Sequence, residues 1–173
     1  MPFELQPTLH GTLLTLRPLR ADDRDALYAV ASDPLIWEQH PDRTRHTPAG
    51  FQAFFDGALA SGGALVAMDA TSGAMLGSSR FHGYDADASE VEIGWTFLAR
   101  LHWGGRHNGE MKQLMLQHAF RFVNRVLFLV GPLNMRSQLA VKRIGGVRAG
   151  TRIDGTGRES VVFELTAARF AAR

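Results

Sequence analysis

The stretch of this chain best equipped for chemistry is Trp103-Gly104-Gly105-Arg106-His107-Asn108-Gly109. A strand-like segment precedes it, and from Glu110 onward Met111, Leu114, Met115, Ala119 and Phe122 recur every three or four residues, as on a helix. A glycine-bearing loop that opens into a helix presents unpaired backbone N–H groups and the positive end of a helix dipole. That combination suits an anion, phosphate above all. Other chemistries find less support. The chain has no cysteine, which excludes disulfides, thiolate catalysis and cysteine-ligated metal. It has seven histidines, but His102 and His107 straddle the loop and no His-Glu-x-x-His is present, so no metal site is expected.

Charge and composition narrow the class further. The 173 residues suffice for one domain with a full core. The net charge is only +2, the lysines are just Lys112 and Lys142, and the arginines are scattered without a basic run. Nucleic acid is therefore not the expected partner. The N-terminal Met-Pro-Phe-Glu-Leu-Gln-Pro lacks the charged-then-apolar order of a signal peptide. No apolar run approaches the roughly 18 residues needed to span a bilayer, so a cytoplasmic protein without a membrane partner is expected.

The elements that must position the loop follow from periodicity and breakers. Gly11–Arg20 reads as a strand ended by Pro18, and Asp22 and Asp23 open a helix that Asp33-Pro34 stops. A polar connection, Glu38–Ala49, leads to Thr47-Pro48, a cap with proline at the first helical position. The helix beyond carries Phe51, Phe54, Phe55 and Ala58, ending at Ser61-Gly62-Gly63. Ala64–Asp69 and Ala74–Phe81 pair around Thr71-Ser72-Gly73, and Gly83–Ser89 is a polar loop. In Val91–Leu98, Val91, Ile93, Trp95 and Phe97 alternate with Glu92, Gly94, Thr96 and Leu98, predicting a strand with one better-buried face. Val126–Val130 is a fully apolar strand, Asn134 opens another helix, and Val147–Ile153 with Ser160–Leu165 makes a final antiparallel pair. Ala167–Arg173 is a helical tail. The order β-α-α-β-β-β-α-β-α-β-β predicts one mixed α/β (α+β) domain over residues 1–173, with about seven strands and about four helices.

This order and its motifs resemble the GNAT acyltransferase superfamily, particularly its branch of ribosomal-protein-alanine N-acetyltransferases. The resemblance rests on LTLRPLRADDRDALYAVASDP, GSSRF, EIGWTFLARLHWGG with its Glu-bearing helix, and NMRSQLAVKRIGG, in that order over nearly the whole chain. It implies acetyl-CoA as co-substrate, its pyrophosphate wrapped by backbone amides from Gly104 to Gly109 beside Trp103. It also implies a mixed sheet splayed between the fourth and fifth strands, where the backbone of Trp95-Thr96-Phe97 pairs with the pantetheine arm. Gly94 suits a bulge or a close approach there. The chain departs from the family pattern aromatic/basic-G-x-G-x-A/G, with Arg106 at the second glycine and Asn108 at the small position. Arg106 either adds a charge-assisted phosphate contact or blocks close approach.

The implied reaction moves an acetyl group to a primary amine, a protein N-terminus or a small molecule, by direct transfer in a ternary complex. An amine that is mostly protonated at neutral pH needs a base, and the resemblance puts Glu92 in that place. The alternative is a structural carboxylate holding an arginine such as Arg80. By the same resemblance Asn134 contacts the cofactor arm and Ser137 protonates the departing thiolate; Asn134 also reads as a helix cap. Trp37 lies in the acceptor wall or covers the core, and Asp85, Asp87 and Glu90 form an acidic cluster near the acceptor end. The substituted loop also motivates a catalytically weak or inactive CoA-binding or oligomerisation module, and the exposed final strands offer a homodimer surface.

Overall fold

The computed structural model describes residues 2–173. Eight strands form one sheet: β1 (Leu9–His10), β2 (Leu14–Pro18), β3 (Ala64–Asp69), β4 (Met75–Asp85), β5 (Glu90–Leu98), β6 (Arg125–Val130), β7 (Val147–Ile153) and β8 (Glu159–Thr166). Their spatial order is β1-β2-β3-β4-β5-β6-β8-β7. Five α-helices accompany them: α1 (Arg24–Ala31), α2 (Pro48–Ser61), α3 (Arg106–Ala119), α4 (Met135–Arg143) and α5 (Ala167–Ala171). The mixed α/β class is as expected. The eighth strand is β1, whose two residues pair with Leu16 and Thr15 and are too few to carry an alternation pattern.

All neighbouring pairs are antiparallel except β5 and β6. That parallel pair is registered only at Glu90↔Arg125, Val91↔Val126 and Glu92↔Leu127. Beyond Glu92 the two strands continue without pairing. This is the expected splay, with β5 fourth and β6 fifth when counted from β2.

The single-faced reading of β5 fails at Trp95. Arg80 pairs with Gly94 and Ser78 with Phe97, so Ser79 alone opposes both Trp95 and Thr96. Trp95 takes φ +50°, one of two non-glycine residues with positive φ among those described. The extra residue makes a β-bulge, which reverses the alternation. Val91 and Ile93 pack into the core under α3, whereas Trp95 and Phe97 join the aromatic core under α1 and α2.

The two cores lie on opposite faces of the sheet. One joins Phe81, Ile93, Met111, Met115 and Phe163; the other joins Leu27, Trp37, Phe51, Phe54 and Phe97. Full burial of each such side chain stabilises by about 1.5–3 kcal/mol. The signals of α2 act as read: Thr47 Oγ1 accepts from Gly50 N at 3.1 Å, Pro48 follows, and Gly62 closes the helix at φ +63°. Asp23 does not cap α1 with its side chain; its carboxylate accepts from Arg17 and from Arg20 N instead. Glu110, on the first turns of α3, accepts from the N–H groups of Thr12, Leu13 and Leu14 at 2.8–3.0 Å. That carboxylate pins the start of β2 to α3. Among the described residues no helix is long and apolar enough to cross a membrane.

Candidate active site

A cleft of about 570 Å³ opens where β5 and β6 part. One end is the loop before α3. There Gly104 turns the chain at φ +69°, a conformation that costs glycine nothing. Gly105 is extended at the helix N-cap, and no side chain caps the helix. The first-turn N–H groups therefore remain open to a ligand. Gly104, Gly105, Asn108 and Gly109 line the cleft. Arg106 is exposed and His107 meets His102 with ring centres 4.3 Å apart and the planes tilted by 54°; neither lines it. Trp103 is fixed by its indole N–H, which donates to Leu98 O at 2.9 Å, and the Arg136 guanidinium lies 3.9 Å from its ring centre.

Glu92 occupies the last position at which β5 pairs with β6, and it lines the cleft. It makes no ion pair within 4 Å among the described residues, so it does not hold Arg80 as a structural partner would. Its carboxyl leans over Gly94, where an added Cβ would meet Oε1 at 3.0 Å. Burial pushes its pKa up from 4.5 to about 7, against the opposing pull of Arg152 and Arg80. A carboxyl that titrates near neutrality in a cleft can exchange protons at working pH.

On the far wall Asn134 caps α4, its Oδ1 accepting from Ser137 N at 3.2 Å. Both line the cleft, so capping fixes Asn134 without removing it from the site. Trp95, Thr96 and Phe97 line it through the bulged part of β5. Trp37 both covers the core and walls the cleft, because its indole N–H is spent on Ala31 O at 2.7 Å. The acidic cluster lies elsewhere: Glu90 is paired with Arg125 at 2.6 Å, and none of Asp85, Asp87 and Glu90 lines the cleft.

Several lining residues escaped the sequence reading. Lys112 is buried under β5, its Nζ donating to Thr96 Oγ1 at 2.5 Å and Ser79 Oγ at 3.3 Å. Burial lowers its pKa from 10.5 to about 7. A signal existed, since Lys112 lies four residues before Leu116 on the apolar stripe of α3. His82 and Arg152 flank Glu92, and only the tertiary fold brings the distant β7 to it.

A family profile described as an acetyltransferase (GNAT) domain matches residues 14–147. Among solved structures, a GCN5-related N-acetyltransferase from Brucella melitensis is similar at 22% identity and TM-score 0.83, over 99% of this chain and 83% of that one. A probable GNAT-family acetyltransferase from Chromobacterium violaceum gives 21%, TM-score 0.83, and coverages of 98% and 91%. RimJ of Mycobacterium smegmatis, solved in complex with CoA-disulfide, gives 20%, TM-score 0.69, and coverages of 94% and 87%. No curated protein matches the sequence. With the profile spanning most of the chain, and the splayed sheet and uncapped loop-helix in place, this protein belongs to the GNAT family of N-acetyltransferases.

Proposed function

We propose that the chain, acting as a single domain, transfers an acetyl group from acetyl-CoA to a primary amine by direct transfer in a ternary complex. The observation that carries this reading is the placement of Glu92, an unpaired carboxyl titrating near 7, in the cleft that opens at the β5–β6 splay. The residues present fit the co-substrate: the uncapped first turn of α3 suits a pyrophosphate, and the edge of β5 beyond Glu92 that β6 leaves open suits an extended amide-bearing arm. Acetyl-CoA supplies an activated thioester.

The chain's own groups then divide the work. Gly104, Gly105 and the first turn of α3 bind the phosphates through backbone N–H groups. Backbone groups of Trp95, Thr96 and Phe97, with the Asn134 side chain, hold the arm in register. Glu92 accepts the proton an ammonium must lose before it can attack, directly or through water. Ser137, on the first turn of α4, offers a hydroxyl proton to the sulfur that departs when the C–N bond replaces the C–S bond. The acceptor is a protein N-terminal amine or a small-molecule amine, bound between Trp37 and Glu92.

The test is thiol release from acetyl-CoA with a panel of peptide N-termini and small amines, alongside calorimetric binding of CoA. Amine-dependent release lost in Glu92→Gln supports the assignment. Tight CoA binding with no turnover across the panel would instead make the chain a binding module.

A further inference from the structure

A second cavity, of about 270 Å³, adjoins the acceptor end of the cleft and shares Arg45 and Trp95 with it. Two arginines wall it: Arg80 from β4 and Arg45 from the short 3-10 turn Arg43–His46. They are 6% and 9% exposed. Their Nε atoms are the two buried side-chain polar atoms without a hydrogen bond among the described residues. Both guanidiniums approach the Phe54 ring, at 4.9 Å for Arg45 and 5.8 Å for Arg80, and Arg80 also lies 4.4 Å from the centre of Trp95.

The local charge does not balance. Among the described residues, Asp42 is the only carboxylate lining this cavity. Its Oδ2 lies 3.5 Å from Arg45 Nε, and Arg45 Nη1 lies 3.4 Å from His40 Nε2, so one carboxylate faces two guanidiniums. Arg80 has no ion pair within 4 Å among the described residues. Burial and the neighbouring Arg45 charge lower its pKa to about 10, still cationic at neutral pH. Stacking on aromatic faces orients both forks but satisfies none of their N–H donors in the ring plane. With Asp42 on Arg45, the Arg80 charge is left without a counter-ion, and buried charge is costly unless something supplies one. A bound oxyanion would do so, meeting a guanidinium with two parallel hydrogen bonds.

We propose that Arg45 and Arg80 form the binding site for an anionic group, a carboxylate or phosphate-type oxyanion, on the amine acceptor. This rests on the N-acetyltransferase reading and narrows its substrate class to amines that carry a negative charge at a distance from the reacting nitrogen. The register supports such a spacing. Arg80 pairs with Gly94 and His82 with Glu92, which makes Arg80 and Glu92 diagonal neighbours, about 7–8 Å apart at Cα. The amine goes to Glu92 and the anion to the chamber behind Trp95.

The experiment compares kcat/KM for glycine, β-alanine, 4-aminobutyrate and 5-aminovalerate with their carboxamides and matching aminoalkylphosphonates. The expected result is at least a tenfold preference for the carboxylate or phosphonate over the amide at one or more chain lengths. The better oxyanion identifies the group. In Arg80→Gln and Arg45→Gln the ratio of anion to amide collapses to within about threefold; as an internal ratio it is insensitive to partial loss of folded protein. Equal use of amides by the wild type overturns the anion site and leaves acetyl transfer standing. If no amine releases thiol, transfer itself fails. Calorimetric titration of the same amino acids then reads the anion site directly, and absence of binding, or binding unaltered in Arg80→Gln, overturns it.

Discussion

The ammonium of Lys112 donates to the hydroxyl of Thr96 at 2.5 Å, beneath the bulge that redirects β5 into the cleft. No carboxylate pairs with it among the described residues, and burial holds its pKa near 7. An unfolded lysine stays protonated to about pH 10.4, so between pH 7 and that value the unfolded chain binds the extra proton. Stability therefore rises with pH across that window, and the cost of burying the charge is fully present below it. Lys112→Met removes that cost. Urea unfolding should show the variant more stable by on the order of 2–4 kcal/mol at pH 6.5, the gap closing towards pH 10. A gap independent of pH would mean the ammonium is stabilised by its hydroxyl partners.

The raised pKa of Glu92 predicts the pH dependence of the reaction. A base must be ionised, so kcat/KM should fall as pH drops through about 7, not through 4.5. A strongly basic amine, protonated over the whole range, isolates this titration. Glu92→Gln should lower kcat/KM by about 10²–10⁴-fold and flatten the profile. The stability sign is opposite to that of Lys112. The folded state holds the extra proton between pH 4.5 and 7, so the wild type loses stability over that rise relative to the Gln variant.

Arg106 is exposed and lies off the cleft lining. Arg106→Gly should change the acetyl-CoA dissociation constant by less than about threefold, about 0.7 kcal/mol. Calorimetry decides: a tenfold weakening would make this arginine a phosphate ligand, and a tenfold gain would show that its bulk hinders the loop.

Glu110 accepts from three consecutive backbone N–H groups of another element. Glu110→Ala leaves those donors without a partner, and denaturant unfolding should show a loss of about 2–3 kcal/mol. The folded variant should still bind acetyl-CoA, since the carboxylate faces β2 and not the cleft. Loss of binding at full stability would reassign it to the site.

Local chemistry made much of this protein legible. Thr47-Pro48 and Gly62 set the ends of α2, Asn134 caps α4, and the glycines before Arg106 mark an uncapped helix N-terminus, because each depends on neighbours within a few residues. The motif order was enough to name the family. The bulge at Trp95 was not legible, since an extra residue in β5 exists only relative to β4 opposite it. The same holds for the pairing of Glu90 with Arg125, the three-amide role of Glu110, and the convergence of Arg45 and Arg80 on one aromatic ring from positions 35 residues apart. Sequence alone determined the longer elements, through periodicity and caps, though not the two-residue β1. Only the tertiary structure decided which charges are buried without partners, because burial and pairing are properties of the packed whole.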